Sequence, residues 1–207
     1  MLPVDNDYRE LKLVNNPGVL LGRLPCDVFN ELKAAAAKSM EDKISNAHNL
    51  VGMIEELYSI DVSDTLVTYL SGMVNDYQRR FSYRESYVPR FTSSWINVQK
   101  KHEYSPVHHH PRTLGWVAWV KIPYDINNEM NMPNSASSKV KKNSNFEFVY
   151  SNLGGEIQTH SIPVDRSYEG VVMMFPSYLR HTVYPFYTSD DYRISVAGNI
   201  ELANINN

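Results

Sequence analysis

The sequence predicts a mainly β protein fronted by a layer of helices. Alanine-rich and 3.6-periodic stretches are confined to the first third of the chain. From about residue 90 short alternating runs take over, and turn signals separate some seven of them. That spacing fits a sandwich, barrel or jelly roll. The 207 residues suffice for a single domain, with 1–89 as the mostly helical layer and 90–207 as the β core.

Three stretches read as helices. "CDVFNELKAAAAKSM" offers Asp27 as an N-cap, and Val28, Phe29, Leu32, Ala35, Ala36 and Met40 fall on one side of the helical period. "HNLVGMIEELYSI" repeats the pattern through Leu50, Ile54, Leu57 and Tyr58. Ser63 caps "DTLVTYLSGMVNDYQRRF", whose stripe is Leu66, Leu70, Met73, Tyr77 and Phe81. These stripes are packing surfaces, and no chemistry is assigned to them.

The strands begin with "FTSSWINVQK", which places Trp95, Asn97 and Gln99 on one face and Ile96 and Val98 on the other. "GWVAWVKIP", "NFEFVY", "EIQTHSI", "GVVMMF", "HTVYPF" and "YRISVAGNIEL" follow. Between the second and third of these lies a polar segment at 127–145 without periodicity. A loop of that length is disordered or functional, for instance as a lid.

Composition narrows the class. A net charge of −3 gives no electrostatic footprint for nucleic acid, so none is expected as a partner. Cys26 is the one cysteine and cannot form an intramolecular disulfide, which fits a reducing compartment. The start of the sequence lacks an apolar signal region, and no apolar run has membrane-spanning length. A cytoplasmic location without membrane attachment is expected.

The candidate chemistry starts at "SPVHHHPRTLG". In an extended strand His108 and His110 share a face and His109 points away, so the pair can offer two imidazole nitrogens to one metal ion. His181, opening a strand after "FPSYLR", is the candidate third ligand. His48, His102 and His160 read as structural or surface residues. Arg193 and Ser195 share a strand face with Ala197 and Asn199. A guanidinium beside a hydroxyl suits a carboxylate, and a salt bridge to Asp190, Asp191 or Glu201 is the plainer reading. Asn97 and Gln99 either contact a small molecule through their amides or sit exposed. Trp116, Trp119 and Tyr184 either line a pocket or fill the core.

The stretches "NLVGMIEELY", "SSWINVQKKHEYSPVHHHPRTLG", "FPSYLRHTVYPF" and "YRISVAGNI" resemble the 2-oxoglutarate/Fe(II)-dependent oxygenases of marine bacteria and their phages. The resemblance covers most of residues 48–201, and "FPSYLRH" and "RISVAGN" are its most specific pieces. It implies a double-stranded β-helix, a jelly-roll barrel with iron at its open end. His108 and His181 would stand at the ligand-histidine positions, with His110 where the family carries a carboxylate. Arg193 and Ser195 would hold the distal carboxylate of 2-oxoglutarate; Asn97, by its strand face alone, is a further candidate contact to it. Fe(II), 2-oxoglutarate and O2 would then hydroxylate a small-molecule or peptide substrate, releasing succinate and CO2. The helical layer would supply the face of a homodimer, and a phage-encoded protein would work in the host cytoplasm. Glu103 and Glu156 are carboxylates without the expected spacing. The alternatives are a cupin-type metal-binding protein on the same barrel, or an oxygenase-like scaffold without activity. Arg193 distinguishes the oxygenase from a cupin, which needs no Arg-x-Ser.

Overall fold

The computed structural model describes residues 18–45 and 52–204. In chain order the elements are β1 (Leu20–Arg23), α1 (Cys26–Asp42), β2 (Glu56–Ser59), α2 (Asp64–Phe81), β3 (Tyr87–Gln99), β4 (Ser105–His108) and β5 (Leu114–Lys121). Two short helices follow, α3 (Ile126–Met130) and α4 (Pro133–Ala136). The chain then adds β6 (Phe146–Ser151), β7 (Ile157–Ile162), β8 (Val171–Pro176), β9 (Arg180–Val183) and β10 (Arg193–Asn204). A six-stranded sheet runs β1-β8-β5-β10-β3-β2, and a four-stranded sheet runs β4-β9-β6-β7. Every strand pairing within them is antiparallel.

Along β5 and β8 the larger sheet is apolar on both faces, and the sequence shows why. Along β5, Leu114, Trp116, Ala118 and Val120 pack into the cluster that contains α1 and α2, while Val117 and Trp119 join a second cluster between the sheets. β8 divides the same way, Val172 and Met174 against Met173 and Phe175. Period-two alternation with apolar residues on both faces produces the unbroken run "GWVAWV". The smaller sheet closes the inner cluster with Phe146 and Phe148, whose rings meet Phe175 edge-on or tilted. On β3 the expected split holds, with Ile96 and Val98 facing the helices.

α2 matches its sequence signals. The Ser63 side chain accepts from the Leu66 amide at 3.3 Å, and Leu66, Leu70, Met73 and Tyr77 are buried. α1 starts two residues earlier than expected: Pro25 holds the cap position without a side-chain bond, and Asp27 lies in the first turn. There its carboxylate still complements the helix dipole.

The helix expected over "HNLVGMIEELYSI" is corrected. Residues 56–59 form the edge strand β2, with Leu57 opposite Asn97 and Tyr58 opposite Ile96. The spacing of Ile54, Leu57 and Tyr58 fits a helix, but pairing to the long strand β3 overrides a weak local preference. His48 and Leu50 lie outside the described residues. Among the described residues, the layer before β3 therefore mixes two helices with two short strands.

For the 127–145 segment the disordered alternative is corrected, because the segment is folded and packed. Asp125 caps α3 by accepting from the amides of Asn127 and Asn128, and Pro133 opens α4. Glu129 is fully buried, and its carboxylate accepts from the Tyr187 amide (3.0 Å), the Thr188 amide (2.7 Å) and the Thr188 hydroxyl (2.6 Å). Asn143 donates to the Glu129 carbonyl at 2.9 Å, which ties the two ends of the segment together.

Candidate active site

The cavity between the sheets is lined by His108, His110 and His181 together with Asn97, Gln99, Arg193 and Ser195. His108 and His181 are direct cross-strand partners on β4 and β9. β4 ends at His108, so His110 is not on the same strand, which corrects the expected strand pair. Its backbone is anchored by its amide, which donates to the Ser177 carbonyl at 2.9 Å. One nitrogen from each of the three rings lies within 4.8 Å of the others. Three imidazole nitrogens this close together would hold one metal ion between them.

The tautomers follow from the backbone. His108 Nδ1 lies 2.8 Å from the Pro106 carbonyl and His181 Nδ1 lies 2.9 Å from the Leu179 carbonyl. A carbonyl only accepts, so each Nδ1 carries the proton and each Nε2 keeps its lone pair. Burial keeps all three rings neutral. Desolvation lowers the pKa of His108, brings His110 down to about 4, and brings His181 to about 3, with neighbouring imidazoles adding to all three shifts. His181 is stacked on Phe146 at 5.4 Å and edge-on to Phe175 at 5.1 Å. Neutral, oriented imidazoles are the donors that a divalent transition metal takes.

No carboxylate joins this cluster among the described residues. Glu103 is turned to the amides of Glu55 and Lys100, and Glu156 closes a turn with Asn152. His109 stacks on the exposed Tyr178, away from the other rings. His102 packs against Tyr187, and His160 is exposed on β7.

Arg193 lines the same cavity and is 3% exposed. The plain salt-bridge reading fails, because Asp190 pairs with Lys101, Asp191 with Lys121, and Glu201 accepts from Thr113. Its five N–H bonds go to neutral oxygens instead. Nε and Nη2 both donate to Gln99 Oε1 (3.1 and 2.6 Å), Nη2 also to the Tyr184 carbonyl (3.0 Å). Nη1 donates to the Tyr124 hydroxyl (2.9 Å) and the Ser144 carbonyl (3.0 Å). The guanidinium also lies over the rings of Phe186 and Tyr124. A buried cation without a carboxylate partner, open to the cavity that holds the imidazoles, suits an anionic ligand.

Asn97 Nδ2 donates to Ser195 Oγ at 3.4 Å, and both residues line the same cavity. Trp116 and Trp119 line the cavity. Tyr184 contributes its carbonyl rather than its ring, which turns to Glu147. Tyr124 and Ser144 were not legible as site residues; one follows a strand end and the other acts through its backbone. Gly198 was also missed: a Cβ there would meet Trp116 Nε1 at 2.6 Å and the Ser93 carbonyl at 2.7 Å.

The packed 127–145 segment forms one wall of the Arg193 cage through Ser144. Glu129→Ala removes the acceptor of three bonds and is expected to cost roughly 2–4 kcal/mol of stability. Urea denaturation checks it.

Residues 93–199 match the sequence model of a family described as "Putative 2OG-Fe(II) oxygenase". The chain belongs to this family. Oxygenases of this family use Fe(II), 2-oxoglutarate and O2, and the three histidines are a donor set of the right chemistry for the metal. The fold is the double-stranded β-helix shared with solved oxygenases. A prolyl-4-hydroxylase from Pseudomonas putida superposes with a TM-score of 0.57 at 14% identity, covering 89% of this chain and 92% of its own. A prolyl hydroxylase from Trichoplax adhaerens, solved with a hypoxia-inducible-factor peptide fragment, gives 0.57 at 13% identity, covering 92% and 85%. A collagen prolyl hydroxylase from Paramecium bursaria Chlorella virus-1, solved with 2-oxoglutarate, gives 0.52 at 12% identity, covering 89% and 96%. No curated protein matches the chain significantly. Among the described residues, no helix is long and apolar enough to cross a membrane.

Proposed function

We propose that His108, His110 and His181 bind the Fe(II) of this oxygenase, and that Arg193 seats the distal carboxylate of 2-oxoglutarate with Ser195 and Asn97 alongside. The observation that carries this reading is the buried, carboxylate-free Arg193 in the same cavity as three converging imidazoles. When bound, iron with the keto acid and O2 supplies the oxidising chemistry that hydroxylates a C–H bond. The chain's own residues orient that chemistry. Pro106 and Leu179 fix the ring tautomers, Arg193 supplies a fixed charge, and Trp119, Phe146 and Phe175 exclude water from the inner end.

The substrate is a small molecule or a peptide. A peptide is favoured by apolar surface beside the site, where Tyr104, Val107 and Tyr178 are 41%, 50% and 65% exposed. The net charge of −3 gives nucleic acid no electrostatic hold. The chain works as one domain in the cytoplasm, and its helical layer is the face available for a homodimer.

Anaerobic addition of Fe(II) and then 2-oxoglutarate to the protein is expected to produce the visible charge-transfer band of keto-acid chelation. Arg193→Ala weakens the band by raising the 2-oxoglutarate concentration needed, by roughly a hundredfold for the loss of a bidentate ionic contact. A protein that binds metal but forms no band overturns the cosubstrate assignment. The histidine cluster then belongs to a cupin-like metal-binding protein.

A further inference from the structure

We infer that Gln99 is the positioning residue that sets the oxygenase's affinity for its cosubstrate, by holding the edge of Arg193 that a carboxylate must take. This rests on Arg193 being the cosubstrate's seat.

Guanidinium presents Nε–H and one Nη–H as a parallel fork, the edge on which carboxylates dock with two bonds. On Arg193 both donors of that edge converge on a single oxygen, Gln99 Oε1. The other acceptors are poorly placed to yield. Ser144 and Tyr184 contribute backbone carbonyls, and the Tyr124 ring is 2% exposed and packed at 5.0 Å from Phe186. Gln99 ends β3 and has three rotatable bonds. Its amide nitrogen donates to the Glu103 carbonyl, so its orientation is set from the turn that leads to β4.

A carboxylate competes well with that amide. It brings two oxygens to two donors and a full charge to a buried cation, a Coulomb attraction that the neutral amide oxygen lacks. Docking on the fork therefore displaces Gln99 Oε1, whose rotation is the cost of cosubstrate entry. An acidic side chain at this position would keep the fork permanently occupied.

The test is calorimetric titration of 2-oxoglutarate into protein loaded with Mn(II), under anaerobic conditions, for the parent, Gln99→Glu and Arg193→Lys. Pyruvate, a keto acid without a distal carboxylate, is titrated alongside. Gln99→Glu is expected to weaken 2-oxoglutarate by roughly 30-fold or more, since an internal carboxylate replaces a neutral acceptor. Mn(II) affinity and pyruvate binding stay at parental values, which a merely structural defect would not preserve. If Arg193→Lys weakens 2-oxoglutarate and Gln99→Glu does not, the role of Gln99 is overturned while the arginine seat stands. If neither variant changes 2-oxoglutarate binding, the seat itself is wrong.

Discussion

His181→Ala abolishes metal-dependent turnover and lowers metal affinity at least about a hundredfold, taking the ~10 kcal/mol or more of a multi-ligand site as shared among its donors. His181 is the most constrained of the three rings. It is 4% exposed, faces His108 across the β4–β9 pair, and has its Nδ1 committed to the Leu179 carbonyl. No neighbouring group can replace its Nε2, because the described residues place no carboxylate or thiolate in the cluster. The substitution also removes a ring packed on Phe146 and Phe175, so some loss of fold stability accompanies it. His181→Gln keeps more of that volume and separates the two effects. The direct measurement is Fe(II) or Mn(II) titration of both variants, with urea midpoints beside it. Parental metal affinity in a folded His181→Gln would remove this residue from the ligand set.

The constituents of this site were legible in the sequence because strand periodicity reports direction. Two-residue spacing put Asn97 and Gln99 on one face and Arg193 and Ser195 on another, and pairing of β3 with β10 brings Ser195 opposite Asn97 and Arg193 opposite Gln99. The convergence of His181 with His108 came from family resemblance rather than from spacing, since cross-strand register is a long-range property. The misreadings have the same origin. Residues 56–59 carry a helical spacing, and only the partner strand β3 makes them a strand. The 127–145 segment looked unstructured because its stabilising contacts are polar and non-local. Glu129 reaches Tyr187 and Thr188 through bonds that leave no hydrophobic period in the sequence. The five-bond cage of Arg193 was invisible for a related reason. Two of its acceptors are backbone carbonyls, which any residue type supplies.

Acid is expected to begin destabilising the metal-free protein well above the range in which its carboxylates titrate. Burial lowers His181 to about 3 and His110 to about 4, whereas an unfolded imidazole titrates near 6.5. The sign is that of a depressed base. Stability is complete above pH 6.5 and falls as pH drops toward 4, because the unfolded chain takes up protons that the native chain refuses. By pH 4.5 His181 alone accounts for about 2–3 kcal/mol, on the order of half the stability of a marginal domain. Glu55, Asp190 and Asp191 are also lowered, each first by a hydrogen bond to a lysine. These groups are exposed and titrate lower, so they steepen the loss below pH 4.5 without causing its onset. Urea midpoints measured with chelator between pH 7.5 and 4.5 are expected to fall steadily from pH 6.5. In His181→Leu, which keeps an apolar ring-sized group and removes the titration, the slope flattens. A parent whose midpoint holds constant down to pH 4.5 would mean that the imidazoles are solvated in solution, and the dry, preorganised donor set would have to be abandoned.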